Sequence, residues 1–535
     1  MPKPASLKNG FRLAEACVYH GHALEWRGDH LFLTYHFEIV GLAHFNHVVA
    51  FDLSAASNTP ESAATAESWH QSQMRLCMRS IDALGLVELI SYWKCACPAR
   101  VHLESMDLSL EQQAWWRKLW YLGLGEFRYL NKIETTQDEF VHFLPNHEIT
   151  PTPSETAQFA NDPNTRASIS WQSEHRFLIP IGGGKDSAVT LDLLKNEPRL
   201  GLLVTTNEHM NPPAEACARV AGIPLIRAHR QLDPRLMELN HKGYLNGHIP
   251  FSATLAFISL IAAALTSCRW IALSNESSAS EPTVPESDVN HQYSKSLEFE
   301  RNFQAYTEKW LTTDIQYFSL LRPLNEIQIA EKFARLKQYH PHAVSCNRSL
   351  AKRMEGAVCT RQTGGAEPSP ALSLTQETTK QIISNDSGES FYLKERDVYP
   401  HGSGWCGHCP KCLSSYLLFA PFMEDHQLHA IFGRDLLNDA TLWSTLQALL
   451  GETEHKPFEC VGTVHEMRAC MRALCQKRPQ AALCHLWTEA HAGGVKLPAI
   501  EKEPTLADLL HAQHAHAMPQ EIYQRMHALH PKLFP

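Results

Sequence analysis

The chain has 535 residues, 44% apolar and 20% charged, which is enough apolar material for a sizeable core and excludes long disorder as the default. At roughly 150 residues per domain, the length predicts about three to four domains. The formal charge of −9 speaks against a general nucleic-acid binder, which needs a basic surface to gather phosphates, so no nucleic-acid partner is expected.

The opening residues, Met1–His20, hold no apolar run of the length a secretory signal requires. The 15 cysteines are odd in number and irregularly spaced, unlike a secreted disulfide framework. A reducing, cytoplasmic setting is the expectation. Leu31–Leu53, rich in β-branched and aromatic residues, predicts two or three strands, and Ala66–Leu86 predicts a helix. Leu108–Leu122 predicts a second helix, with Ser109 as N-cap, Gln112 closing a capping box, Glu111 suiting the dipole, and Gly123 and Gly125 as the stop. Pro151–Ser170 is polar and carries several prolines, the composition of a linker.

From Phe177 the texture changes. An apolar strand leads into a glycine turn and a helix. Strands at Leu200–Glu208, Ile223–Arg230 and Arg269–Glu276 then alternate with helices at Glu215–Gly222 and Pro250–Ser267. Such alternation predicts a parallel sheet covered on both faces. The stretch Ile249–Cys268 is uncharged and long enough to span a bilayer. Its serines, threonines and small residues, with no second span or aromatic belt, favour a helix buried against the sheet. Ile327–Tyr339 predicts an amphipathic helix, Glu355–Ser390 a mobile insertion, and the region after Phe422 a His-rich helical tail.

The strongest chemical signal is Gly182-Gly183-Gly184-Lys185-Asp186-Ser187, between a strand and a helix. Glycines let backbone N–H groups approach phosphate oxygens, and the helix N-terminus adds positive partial charge. Ser187 can donate a hydroxyl, Lys185 can neutralise charge, and Asp186 can place Mg2+. A Walker A loop requires Ser or Thr directly after Gly-Lys, and a dinucleotide fingerprint a later glycine; neither is present. The alternative is a glycine turn with no ligand.

The second signal is Cys406, Cys409 and Cys412, with Cys346 upstream. Two overlapping C-x-x-C steps and one distant cysteine can close a tetrahedral structural zinc site. A reduced, metal-free cluster and redox chemistry are the alternatives, and His408 is a substitute ligand for Cys346. Ser274-Asn275-Glu276 and Thr206-Asn207-Glu208 sit at strand ends, where open α/β sheets bind ligands. Cys95 and Cys97 have the composition of buried core cysteines, and His511, His514 and His516 that of surface histidines on a helix.

The glycine loop resembles the S-G-G-x-D-S loop of the ATP pyrophosphatases, with Gly182 in place of the usual Ser. Several of those enzymes also carry a four-cysteine zinc site after the nucleotide domain. Together with Gly123–Phe127 and Asn131, Tyr244–Ser252, Ser274–Glu276, Ser345–Asn347 and Trp405–Cys412, the loop makes roughly residues 25 to 425 resemble the UDP-N-acetylmuramoyl-L-alanyl-L-glutamate epimerases (MurL-type) of bacterial peptidoglycan synthesis.

The resemblance implies an α/β, adenine nucleotide alpha hydrolase-like (PP-loop) domain at 170–345 and an N-terminal α+β substrate-binding domain at 1–165. It implies a cysteine-rich zinc-type module at 346–420 with its insertion at about 355–390, and a helical extension at 421–535. It also implies ATP-dependent inversion of the terminal L-Glu of UDP-MurNAc-L-Ala-L-Glu through a carboxyl adenylate, with AMP and pyrophosphate released. In that reading Lys185, Asp186 and Ser187 are catalytic. Gly182, Gly183, Gly184, Asn207, Asn275 and Glu276 hold ATP and Mg2+, and Cys346, Cys406, Cys409 and Cys412 hold structural Zn2+. For the epimerising base, Glu126, Cys95, His209 and His248 stand as equals. Two other readings stay open: an ATP pyrophosphatase acting on another carboxyl or carbonyl, and a non-catalytic zinc-binding interaction protein.

Overall fold

The computed structural model describes residues 10–56, 63–145, 176–207, 210–346, 382–384, 390–392, 404–492 and 503–535. The expected linker Pro151–Ser170, most of the expected insertion, and Glu208 and His209 lie outside the described residues.

Ten strands form one sheet. They are β1 (Ala16–Arg27), β2 (His30–Ile39), β3 (Ala43–Asp52), β4 (Arg100–Leu103), β5 (His142–Pro145), β6 (Arg176–Pro180), β7 (Arg199–Thr206), β8 (Leu225–Gln231), β9 (Cys268–Leu273) and β10 (Gln316–Ser319). Their order is β10-β9-β6-β7-β8-β3-β2-β1-β4-β5. The first five of that order pair in parallel, as the alternating strands and helices predict. The β1–β3 meander then joins edge to edge, with β3 antiparallel to β8 from Val48 opposite Gln231 to Asp52 opposite Arg227. One sheet therefore runs through both the N-terminal and the glycine-loop segments.

In β2 the alternating Leu31, Leu33, Tyr35, Phe37 and Ile39 are buried, while β6 is buried on both faces from Phe177 to Pro180. Leu178 packs into the core shared with α1 (Ala63–Trp93), and its neighbours Phe177 and Ile179 pack into the opposite core. That period-2 division is what a sheet covered on both faces requires.

The apolar run of Ile249–Cys268 is a buried helix, α6 (Phe251–Leu265), packed on α1 and β9. Two hydroxyls of the run bond back one turn: Ser259 donates to the Leu255 carbonyl at 2.6 Å, and Thr266, just past the helix end, to that of Ala262 at 2.7 Å. Among the described residues, no helix is long and apolar enough to cross a membrane.

Several boundaries differ from expectation. Helix α2 (Leu110–Gly123) has the Ser109–Gln112 capping box, but Gly125 starts α3 (Gly125–Leu130) instead of stopping the chain, because it packs against Val289 and Asn290. Strand β9 ends at Leu273, which leaves Ser274–Glu276 as loop. The helix expected at Ile327–Tyr339 ends at Ala334, and a short 3-10 turn follows at Lys337–Tyr339. The stretch from His511 to His516 lies beyond the end of the helix Leu506–Leu510.

A buried ion pair staples the meander to the parallel strands. Arg230 on β8 donates to both oxygens of Glu88 on α1, at 2.6 and 2.5 Å, and His47 on β3 lies 3.3 Å from the same carboxylate. Burial works against the charged Glu88. Arg230 and His47 outweigh it and hold the carboxyl at about 2.

Candidate active site

The parallel strands run in the order fifth, fourth, first, second, third, so the topological switch point lies between β6 and β9. Ligands bind such sheets beyond the carboxyl ends of the strands at this point. There β6 delivers the glycine loop, and β9 delivers Ser274-Asn275-Glu276. Two motifs 90 residues apart in sequence thus share one crevice.

Loop geometry explains its glycines. Gly183 has φ +84°, and a Cβ there would lie 2.4 Å from the Ala214 nitrogen, at the start of α5 (Pro212–Ala221). A Cβ on Gly184 would meet the Ser345 hydroxyl. The Gly182 N–H donates to Ser187 Oγ at 3.0 Å, which folds the loop back on α4 (Lys185–Leu193). Ser274 Oγ is buried and has no hydrogen-bond partner among the described residues.

Charge at this end is lopsided. Buried Lys185 reaches Asp186 at 2.5 Å and pairs with Glu326, at the start of α7 (Glu326–Ala334). Burial opposes its charge, but Asp186, Glu326 and Glu276 together raise its affinity for the proton. Burial, reinforced by Asp186, raises the Glu276 carboxyl despite Lys295 and Lys185. Burial likewise pushes Glu326 well up. Three carboxyl groups thus gather around Lys185, and Lys295 is coupled to two of them.

Two expected contacts point elsewhere. Asn275 donates to Ser319 Oγ at 3.1 Å, bracing β9 against β10. Asn207, with φ +53°, accepts from the Leu232 N–H at 2.8 Å and closes the end of β8.

Next to the loop stands a second cluster that sequence reasoning only half saw. The Gly123–Asn131 and Tyr244–Ser252 segments meet: Asn131 reaches the Asn246 carbonyl at 3.4 Å, and His248 lies 3.6 Å from Glu126. His291 joins them, donating to the Glu126 carboxylate, with the two imidazoles 4.4 Å apart. Of the four residues weighed as base, Glu126 and His248 therefore come together. Cys95 sits in the core, its thiol pushed up to about 12 by burial.

Lys295, His291 and Cys460 have no local signal in the sequence. Lys295 donates to Cys460 Sγ at 3.1 Å, and its charge also couples to Glu276 and Asp186. Arg322, in a buried pair with Glu300 at 3.0 Å, binds the backbone carbonyls of both Glu276 and Lys295 and so ties the two clusters together. Burial disfavours charge on His291, but hydrogen bonds to Cys460 and Glu126 prevail and raise it to about 9. Burial and the neighbouring His291 and Lys94 lower His248 to about 3.

Cys346, Cys406, Cys409 and Cys412 form one cluster. Their sulfur separations of 3.8, 3.7 and 3.5 Å match the edge of about 3.8 Å in a tetrahedron with metal–sulfur bonds of about 2.3 Å. His408 is outside it, bonded to Arg434 at 3.0 Å. The Val344 N–H donates to the Gly183 carbonyl at 2.8 Å, which links the segment leading to Cys346 to the loop.

The chain matches the models for the MurL N-terminal domain over residues 12–320 and the MurL C-terminal domain over residues 387–493. It is 33% identical to the UDP-N-acetyl-alpha-D-muramoyl-L-alanyl-L-glutamate epimerase of Xanthomonas oryzae pv. oryzae, over 75% of each chain. With the epimerase of the same name from Salinispora tropica it shares 30% identity, over 80% of this chain and 77% of the relative. For that of a Micromonospora species the identity is 32%, over 75% of each. No solved structure matches. On the extent of these matches and their agreement with the segments that meet around the site, the chain belongs to the MurL family.

Proposed function

We propose that the protein is a cytoplasmic, ATP-dependent epimerase that inverts the terminal L-Glu of UDP-MurNAc-L-Ala-L-Glu to D-Glu in peptidoglycan precursor synthesis. The relatives carry that substrate in their names. The observation that carries the ATP half is the crevice between β6 and β9, where the glycine cradle, the orphaned Ser274 hydroxyl and an excess of carboxylates lie together.

In this reading the domain is of the PP-loop class. Backbone N–H groups of Gly183 and Gly184 and the hydroxyl of Ser187 hold phosphate, Gly182 shapes the turn through its bond to Ser187, and Lys185 balances charge. Asp186 and Glu276 hold Mg2+. ATP supplies the AMP group that neutralises the substrate's glutamyl α-carboxylate. The chemical need is plain: a proton beside a carboxylate resists removal, because the carbanion would sit next to an existing negative charge. Masking that charge makes the α-proton acidic enough for a side-chain base, and nearby donors then stabilise the enolate. The four cysteines hold a structural zinc, which the sulfur separations fit.

With ATP, Mg2+ and UDP-MurNAc-L-Ala-L-Glu, the protein should release AMP and pyrophosphate only when the muropeptide is present. Release of ADP and phosphate, or AMP release indifferent to the muropeptide, contradicts the proposal.

A further inference from the structure

Cys460 is the nucleophilic group best placed beside the crevice, and the epimerase reading leaves its role open. Its loop comes from the C-terminal part of the chain and docks across the site: Phe458 packs on Tyr129 of α3 at 5.7 Å between ring centroids, and the Lys456 N–H donates to the Thr283 carbonyl at 3.1 Å. The residue as a whole is only partly buried, unlike Cys95, Cys97 and Cys217. Lys295 donates to it at 3.1 Å, and the His291 ring, anchored on Glu126, adds favourable charge beside it.

We propose that Cys460, as a thiolate, is one of the two acid–base groups of the epimerisation. This rests on the epimerase reading above and names a catalytic residue within it. Lys295 donates to Cys460 and is also coupled by charge to Glu276 and Asp186, so the thiol stands one lysine away from the groups assigned to the Mg2+ of the ATP that activates the carboxyl. The carbon to be inverted is bonded directly to that carboxyl. The thiolate takes the α-proton: the C–H bond breaks, an S–H bond forms, and the electron pair passes into the enolate of the activated glutamyl group. A proton exchangeable with water then reaches the carbon from the opposite face, and the thiol loses its own proton to solvent before the next turnover.

Charge supports this role. Burial disfavours the Cys460 thiolate, but Lys295, Lys411 and His291 outweigh it and hold the thiol well below its usual range. Glu276 is the opposing charge facing it. The thiolate is thereby favoured over the thiol, as a general base requires.

The test is Cys460→Ser in the full-length protein, with AMP release and glutamyl inversion followed together. Inversion should fall by about 100-fold or more, the range for loss of a positioned base. Muropeptide-dependent AMP release should persist. Peptide mass mapping of the wild type with iodoacetamide should show Cys460 alkylated at pH 7, slowed by the muropeptide, and needing higher pH in Lys295→Met. Inversion by Cys460→Ser at the wild-type rate overturns the proposal. So does equal loss of AMP release and inversion, since the cysteine would then serve nucleotide chemistry or folding. A wild type that neither cleaves ATP nor inverts the muropeptide sinks the epimerase reading itself, and this assignment with it.

Discussion

The two ends of the crevice are built differently and balance their charges differently. At the glycine-loop end, Asp186, Glu276 and Glu326 surround Lys185, so carboxylates outnumber the cation. At the other end, Lys295 and His291 surround one thiol and one carboxylate, Cys460 and Glu126. The first end suits a metal-bound nucleotide; the second suits an anionic acyl group and the transfer of a proton. Arg322 binds the backbone of both Glu276 and Lys295, so the ends are fixed relative to one another without sharing chemistry. If the proposed roles hold, activation and proton transfer are separate, and the protein can lose one and retain the other.

Substitutions should reveal that division. Asp186→Ala acts on the first step and should reduce AMP release and inversion alike, on the order of 1000-fold, since every later event needs the activated carboxyl. Asp186 is half-exposed, so thermal unfolding should change little. Loss of inversion with AMP release retained would dissolve the division.

Glu88→Gln lies outside both ends. It removes the partner of buried Arg230 and should cost about 3–5 kcal/mol of stability, measured by denaturant unfolding, with the ratio of AMP to inverted product unchanged. The same carboxyl sets an acid limit. It titrates at about 2 in the fold against an ordinary value of 4.5. Its stabilising contribution, about 3 kcal/mol, is therefore complete above pH 4.5 and is lost as the pH falls towards 2. Unfolding measured across that interval should show the loss in the wild type and a flatter profile in Glu88→Gln.

Gly183→Ala should weaken nucleotide binding and cost about 2 kcal/mol, because φ +84° and the Ala214 nitrogen at 2.4 Å both oppose a Cβ. Equilibrium nucleotide titration and thermal unfolding check it. Cys409→Ser should have the smallest effect on chemistry. Metal content and thermal stability should drop, while muropeptide affinity moves by no more than about 3-fold. Wild-type protein without zinc in metal analysis would remove the zinc assignment.

The same contrast decides what the sequence makes legible. A phosphate cradle needs consecutive backbone N–H groups and a following helix, so Gly182–Ser187 is visible as one string. The parallel strands are visible because strands buried on both faces are continuous apolar runs. Strand β1 is hard to see, since Ala23–Arg27 is only half-buried or exposed and breaks the apolar pattern, and β10 spans only four residues. The proton-transfer end has no local pattern at all. Lys295 and Cys460 are separated by 165 residues, as are Glu126 and His291, and only the fold brings them together. Glu126 and His248 stand out in sequence only through the segments around them. Asn275 and Asn207 illustrate the converse: both sit at strand ends, yet their amides brace neighbouring strands.

The most direct test of the central claim is the isotope content of the glutamyl α-carbon after UDP-MurNAc-L-Ala-L-Glu is incubated with the protein, ATP and Mg2+ in deuterated water. The account predicts deuterium at that carbon, D-configured product and stoichiometric AMP, all absent when ATP is withheld. Deuterium gained without ATP, or ATP cleaved with no deuterium gained, would contradict it.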